Sequence, residues 1–125
     1  MAEILILDDV LDAGVLVGKI LSKCGHTTHS FTEEEDAVNH TKTHPVDLAI
    51  LDIKLKKMSG IEVLTILKQI NPDMRAIMLT GYPTVETARE ALSRGADEYC
   101  VKPIDRDELE SKVAIVLNKN NHVLN

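Results

Sequence analysis

The stretch Leu48-Ala49-Ile50-Leu51-Asp52 decides the fold. Four apolar residues run without interruption into an acid. A continuous apolar run of this length reads as a strand buried on both faces, as in the middle of a parallel sheet. A carboxylate at the C-terminal end of such a strand stands where open α/β sheets place their chemistry. Three other apolar runs end in the same manner. Ile4-Leu5-Ile6-Leu7 stops at Asp8-Asp9, Ala76-Ile77-Met78-Leu79 stops at Thr80, and Glu98-Tyr99-Cys100-Val101 stops at Lys102-Pro103. If all four are parallel strands, Asp8, Asp9, Asp52, Thr80 and Lys102 gather on one edge of one sheet.

The segments between these runs read as helices. Residues 11–23 carry Val15, Leu16, Ile20 and Leu21 at helical spacing, with Gly14 and Gly18 weakening the helix by propensity and Gly25 placed to cap it. His26 to Phe31 is a short polar strand, better suited to a sheet edge than to its centre. Thr32-Glu33-Glu34-Glu35 has the pattern of a capping box opening a helix to Lys42. Lys54 to Ser59 is a loop with three lysines. Gly60 then opens a helix with Ile61, Leu64, Leu67 and Ile70 on one stripe, ended by Asn71-Pro72. Gly81-Tyr82-Pro83 turns into a helix over 84–93, with Val85, Ala88, Ala91 and Leu92 spaced to pack. Asp105-Arg106-Asp107-Glu108 is a second capping-box pattern, opening a last helix through Leu109, Val113, Val116 and Leu117. The polar tail 118–125 is expected to fray. Five strand–helix units with short connections imply a parallel sheet with helices on both faces, in one domain spanning 1–125.

Composition narrows the function. The 125 residues are 44% hydrophobic, enough for a core, but only 2% aromatic with no Trp, so the core is aliphatic and no platform for base stacking exists. A net charge of −6 argues against gripping phosphate backbones or nucleic acid directly. Cys24 and Cys100 form no disulfide framework and read as two buried thiols in a reducing cytoplasm. No apolar run is long enough for a membrane span, and no signal peptide is visible. The histidines read as surface residues. His26 and His29 point to opposite faces of a strand, and His40 and His44 lack an evident third ligand.

The acidic edge demands a counterion. Two carboxylates about 4 Å apart repel by roughly 4 kcal/mol at an effective dielectric near 20. Lys102 supplies one positive charge. A divalent cation suits the remainder, and an all-oxygen carboxylate set fits Mg²⁺. A phosphoryl group could then meet the metal, Lys102 and the Thr80 hydroxyl, with a carboxylate as nucleophile.

With these residues in view, the chain resembles a response-regulator receiver domain, the phosphoacceptor half of two-component signalling. The resemblance rests on Ile6-Leu7-Asp8-Asp9, Leu51-Asp52, Met58-Ser59-Gly60, Leu79-Thr80-Gly81, and Tyr99 through Lys102-Pro103, and it covers essentially the whole chain. It implies the flavodoxin-like, CheY-like doubly wound (βα)5 fold with strand order 2-1-3-4-5. It implies Asp52 as phosphoacceptor, accepting from a sensor histidine kinase or phosphotransfer protein. It implies Mg²⁺ on Asp9 and Asp52 with the Lys54 backbone carbonyl, Asp8 acting largely through water. Lys102 and Thr80 would hold the phosphoryl group, Tyr99 would be the switch aromatic, and Lys102-Pro103 would be cis. The fourth helix, fifth strand and fifth helix would present the altered surface to a downstream effector or output domain, or to a second copy in a homodimer. Such a domain is a cytoplasmic signalling phosphoacceptor rather than an enzyme.

The chain departs from the family at a few positions. Lys56 stands where a proline is usual, which should leave the loop over 54–59 less fixed. Lys54 and Tyr82 occupy the two positions that flank the attacking water, so slow autodephosphorylation is expected. Ile104 replaces a common aromatic. Two enzyme-like alternatives fit less well. An aspartyl-nucleophile phosphatase needs a second acid where Lys54 stands, and a flavin mononucleotide carrier needs a phosphate cradle where Asp8-Asp9 would repel the phosphate. A receiver-like module that is never phosphorylated is the third alternative, which the full set of site residues opposes.

Overall fold

The computed structural model describes residues 1–119. The elements alternate: β1 Glu3–Leu7, α1 Leu11–Lys23, β2 Thr27–Phe31, α2 Glu34–Thr43, β3 Leu48–Leu51, α3 Gly60–Ile70, β4 Arg75–Thr80, α4 Val85–Ser93, β5 Glu98–Val101 and α5 Arg106–Leu117. All strand pairs are parallel and the order is β2-β1-β3-β4-β5, as the resemblance implied. β3 lies at the centre with all of Leu48–Leu51 buried, which is why its sequence shows no polar alternation.

Strand side chains alternate between two cores. Leu5, Leu7, Ala49, Leu51, Ala76 and Met78 pack under α2, α3 and α4, with Ala37, Leu64 and Ala91. Ile4, Ile6, Leu48, Ile50, Ile77 and Leu79 pack under α1 and α5, with Leu21, Leu109 and Val113. Helices on both faces hold the sheet rigid, so the residues just past the strand ends share a fixed edge. Polar β2 is one of the two edge strands, beginning at Thr27 rather than His26.

Several local expectations are corrected. α1 does not turn Val15 and Leu16 inward; both are exposed, and Gly14, Gly18 and Leu21 form the buried face. A Cβ on Gly18 would stand 3.4 Å from both the Ser30 and Thr28 hydroxyls, so the glycine lets α1 approach the polar edge strand. α4 buries only Ala91, leaving Val85 and Leu92 exposed beside Val101 of β5. The Thr32 capping box does not form. Glu33 is the N-cap of α2 and makes no side-chain cap hydrogen bond. Cys24 is exposed at the end of α1, whereas Cys100 is buried and burial pushes its thiol up to about 11. Of the tail, Asn118 caps α5 and Lys119 pairs with Asp97 at 3.2 Å. The remaining expected fraying lies outside the described residues.

Candidate functional site

Parallel pairing carries three of the site residues beyond their strands without a break in the ladder. Asp8 N–H donates to Phe31 O at 3.1 Å, Asp52 N–H to Leu7 O at 3.0 Å, and Lys102 N–H to Thr80 O at 2.8 Å. The backbone of each is therefore fixed before its side chain does anything.

The side chains meet. Carboxylate oxygens of Asp8, Asp9 and Asp52 lie within 4.8 Å of one another. Lys102 Nζ donates to Asp8 Oδ2 at 2.5 Å and to Asp52 Oδ2 at 3.0 Å. Asp8 Oδ1 accepts from Val10 N–H at 2.9 Å, and Asp52 Oδ1 faces Lys54 N–H at 3.4 Å. Asp8 and Asp52 are only 6% and 7% exposed. Burial works against the Lys102 ammonium, but its hydrogen bonds and charge contacts with Asp8 and Asp52 outweigh it and raise its pKa above the ordinary lysine value. Three carboxylates against one ammonium leave two formal negative charges at a largely water-excluded edge. That donor set, all oxygen and doubly negative, fits a small divalent cation.

Thr80 is fully buried at the end of β4, and its Oγ1 accepts from Tyr82 N–H at 3.1 Å. Lys54 Nζ sits 4.3 Å from the centre of the Tyr82 ring, within cation–π range. The Tyr99 hydroxyl bonds Thr87 Oγ1 at 2.8 Å and accepts from Thr84 N–H at 3.4 Å, tying β5 to the first turn of α4. The Lys102–Pro103 peptide is cis, as expected.

Two features of the site go beyond the sequence reading: the close seat of Gly60, which the sequence shows only as the opening of a helix, and the role of Glu34. Gly60 opens α3 hard against the end of β3, with its N–H donating to Ile53 O at 2.7 Å. A Cβ there would fall 1.8 Å from Asp52 O. The pattern Ser59-x-x-Glu62 signals this helix start, and both capping-box hydrogen bonds are made. The second is Glu34, whose Oε2 accepts from Lys57 N–H at 2.6 Å and Met58 N–H at 3.2 Å. Glu34 thus holds the backbone at Lys57 and Met58, just past Lys56, where the family has proline. A row of three glutamates hid which one turns inward.

The histidines are not independent surface groups. His29 and His40 rings lie 4.6 Å apart, and His40 stacks on His44 at 4.4 Å. Burial and the two neighbouring imidazoles hold His40 below the ordinary histidine pKa. Among the described residues, the acidic trio is nonetheless the one group placed to hold a metal ion. A concavity of about 680 Å³, lined by Ala2, Val46 and Asn71 among others, includes none of Asp8, Asp9 and Asp52.

Comparison with known proteins agrees with this geometry. The family model for the response regulator receiver domain matches residues 4–114. The transcriptional regulatory protein ZraR of Escherichia coli is 31% identical over 109 residues, covering 87% of this chain and 25% of that protein. The chain thus spans about a quarter of the length of that relative. Sporulation initiation phosphotransferase F of Bacillus subtilis is 32% identical over 111 residues, covering 89% of this chain and 90% of that protein. The crystal structure of a CheY-like receiver domain protein from Methanospirillum hungatei superposes with a TM-score of 0.93 at 30% identity, covering 97% of both chains.

Proposed function

The chain belongs to the response regulator receiver domain family, and from that premise we propose that Asp52 is its phosphoacceptor. The observation that carries this reading is Lys102 Nζ held between the Asp8 and Asp52 carboxylates, beside Asp9, at the C-terminal edge of the sheet. Mg²⁺ would be held by Asp9, Asp52 and the Lys54 backbone carbonyl, with Asp8 acting largely through water; bound there, it neutralises phosphoryl charge. An Asp52 oxygen attacks the phosphorus of a phosphohistidine on a sensor kinase or phosphotransfer protein. The new O–P bond forms as the P–N bond breaks, and the electron pair leaves with the imidazole. Lys102 then pairs with the phosphoryl oxygens, and the Thr80 hydroxyl donates to one of them.

The added charge, about −1.5 to −2, is what the rest of the fold reads. Movement of Thr80 frees space toward Tyr99, whose hydroxyl anchors Thr84, the N-cap of α4, and Thr87 in its first turn. The exposed Val85, Leu92 and Val101 on the α4–β5–α5 side give an effector, an output domain or a second copy an apolar surface to recognise. In this role the domain is a cytoplasmic signalling component that turns over only its own phosphoryl group. No described helix is long and apolar enough to cross a membrane.

Incubation with acetyl phosphate and Mg²⁺, read by intact mass, tests the assignment. One added phosphoryl group is expected, absent in Asp52→Asn and absent with a chelator. An Asp52→Asn protein that is labelled as fully as wild type would overturn it. The Lys54–Tyr82 contact adds a second expectation. It shields the acceptor from attacking water, so a Lys54→Ala/Tyr82→Ala protein should lose its phosphoryl group several-fold faster. Unchanged decay would remove these two residues from any role in lifetime.

A further inference from the structure

Glu34 stands in the first turn of α2, far in sequence from the acidic edge, yet only 2% exposed. Its Oε2 takes two backbone N–H groups of the β3–α3 loop, those of Lys57 and Met58. Its Oε1 is buried without a hydrogen-bond partner among the described residues. Burying a carboxylate is costly unless donors meet it. Here burial pushes its pKa up, but the backbone donors of Lys57, Glu34 itself and Met58 outweigh that and leave it lowered. The same loop is pinned at its ends. Gly60 N–H bonds Ile53 O, and the Gly60 Cα faces the Asp52 carbonyl so closely that no Cβ fits between them. The backbone of Lys54 is left between the Asp52 end and the Glu34 anchor. The exposed Lys56–Glu33 pair at 3.5 Å adds a weaker link between the same two elements.

We propose that Glu34 is a positioning residue for the phosphoacceptor site. Its carboxylate sets the backbone of the β3–α3 loop, and through it the Lys54 carbonyl offered to the cation. In this chain it takes over the fixing of a loop whose Lys56 replaces the family's proline. The proposal rests on the reading of Asp52 and its neighbours as the Mg²⁺ site given above.

The test compares the wild-type chain with Glu34→Ala, Glu34→Gln and Glu34→Asp by amide NMR without any phosphodonor. Two quantities are read: hydrogen exchange at Lys57 and Met58, and Mg²⁺ affinity from shifts of the Asp52 and Lys54 amides. In Glu34→Ala, exchange at both amides should rise and Mg²⁺ affinity should fall about 10-fold, the scale of lost support behind metal ligands. Glu34→Gln keeps a carbonyl acceptor at the same reach and should restore both readouts. Glu34→Asp, one methylene shorter, should fail to, and it carries the test if Glu34→Ala does not fold. A Glu34→Ala or Glu34→Asp protein with wild-type Mg²⁺ affinity overturns the proposal, as does a Glu34→Gln protein as impaired as they are. Wild type that binds Mg²⁺ but takes no phosphoryl group from acetyl phosphate would overturn the Asp52 reading instead, and leaves these outcomes legible.

Discussion

Replacing Gly60 with alanine is expected to destabilise the protein by about 3 kcal/mol or more, the upper range for forcing atoms into a packed interior. The added methyl would lie 1.8 Å from the Asp52 carbonyl oxygen, 2.8 Å from its carbonyl carbon and 3.0 Å from Ile53 Cα. All three neighbours are backbone, so no side chain can swing aside to relieve the clash. Either α3 lifts from the end of β3 or the Asp52 backbone moves. Lifting α3 breaks the Gly60–Ile53 hydrogen bond and uncovers Ile61 and Leu64, which are buried in the core. Moving Asp52 disturbs the carboxylate beside Lys102. The loss should therefore appear twice, as a lower midpoint in chemical denaturation and as weaker Mg²⁺ binding in whatever protein remains folded. Gly81→Ala is the matched control, because a methyl there meets only Lys102 Cδ at 4.0 Å, an ordinary contact. Equal midpoints for the two variants would show that α3 does not need its close seat on Asp52.

The contrast between these glycines shows why some features were legible in sequence and others were not. The strands announced themselves because each one central to the sheet is buried on both faces and ends in a polar group. Leu48–Leu51 before Asp52 and Ile4–Leu7 before Asp8 leave little room for another reading. The acids and Lys102 followed, since parallel strands in register must bring their C-terminal ends together. α1 was misread because Val15, Leu16, Ile20 and Leu21 satisfy helical spacing as well as the true face does. What selected Gly14 and Gly18 was the proximity of Thr28 and Ser30 on an edge strand, a tertiary fact. α2 was misread for a related reason. Thr32 and Glu35 have capping-box spacing, but the helix starts one residue later, at Glu34 with Glu33 as its N-cap, and Glu34 is held by Lys57 and Met58, more than twenty residues away. Elsewhere the motif forms in full or in half: Ser59 and Glu62 make both bonds of the box at α3, whereas at α5 Asp105 accepts from Glu108 N–H at 2.7 Å without the reciprocal bond. His29 meets His40 across the same β2–α2 boundary that spacing along one element does not reveal.

Removing the ammonium of Lys102 should have the second large effect, and its sign depends on the cation. In the protein without metal, Lys102 Nζ is the group that neutralises Asp8 Oδ2 and Asp52 Oδ2. Lys102→Met keeps the apolar stem and deletes the charge. Two carboxylates that are less than a tenth exposed then face each other and Asp9 without a cation. Stripping one partner from a buried pair costs about 3 kcal/mol, and the variant should unfold at correspondingly lower denaturant in chelator. Mg²⁺ should then restore more stability to Lys102→Met than it adds to wild type, because the variant site carries one more net negative charge and ligand binding stabilises by an amount that rises with the logarithm of affinity. The pH dependence supplies a check. The pKa of Lys102 is raised above about 10.5, so its contribution is complete below that value and is lost only as the pH climbs through the higher folded value. The stability difference between wild type and Lys102→Met should accordingly stay level from about pH 7 to about pH 9. A difference that vanishes within that window, or a variant as stable as wild type in chelator, would mean that the acidic edge does not depend on Lys102 for its charge balance. A Mg²⁺ response equal in both proteins would mean that the ammonium and the cation do not compete for the same carboxylates.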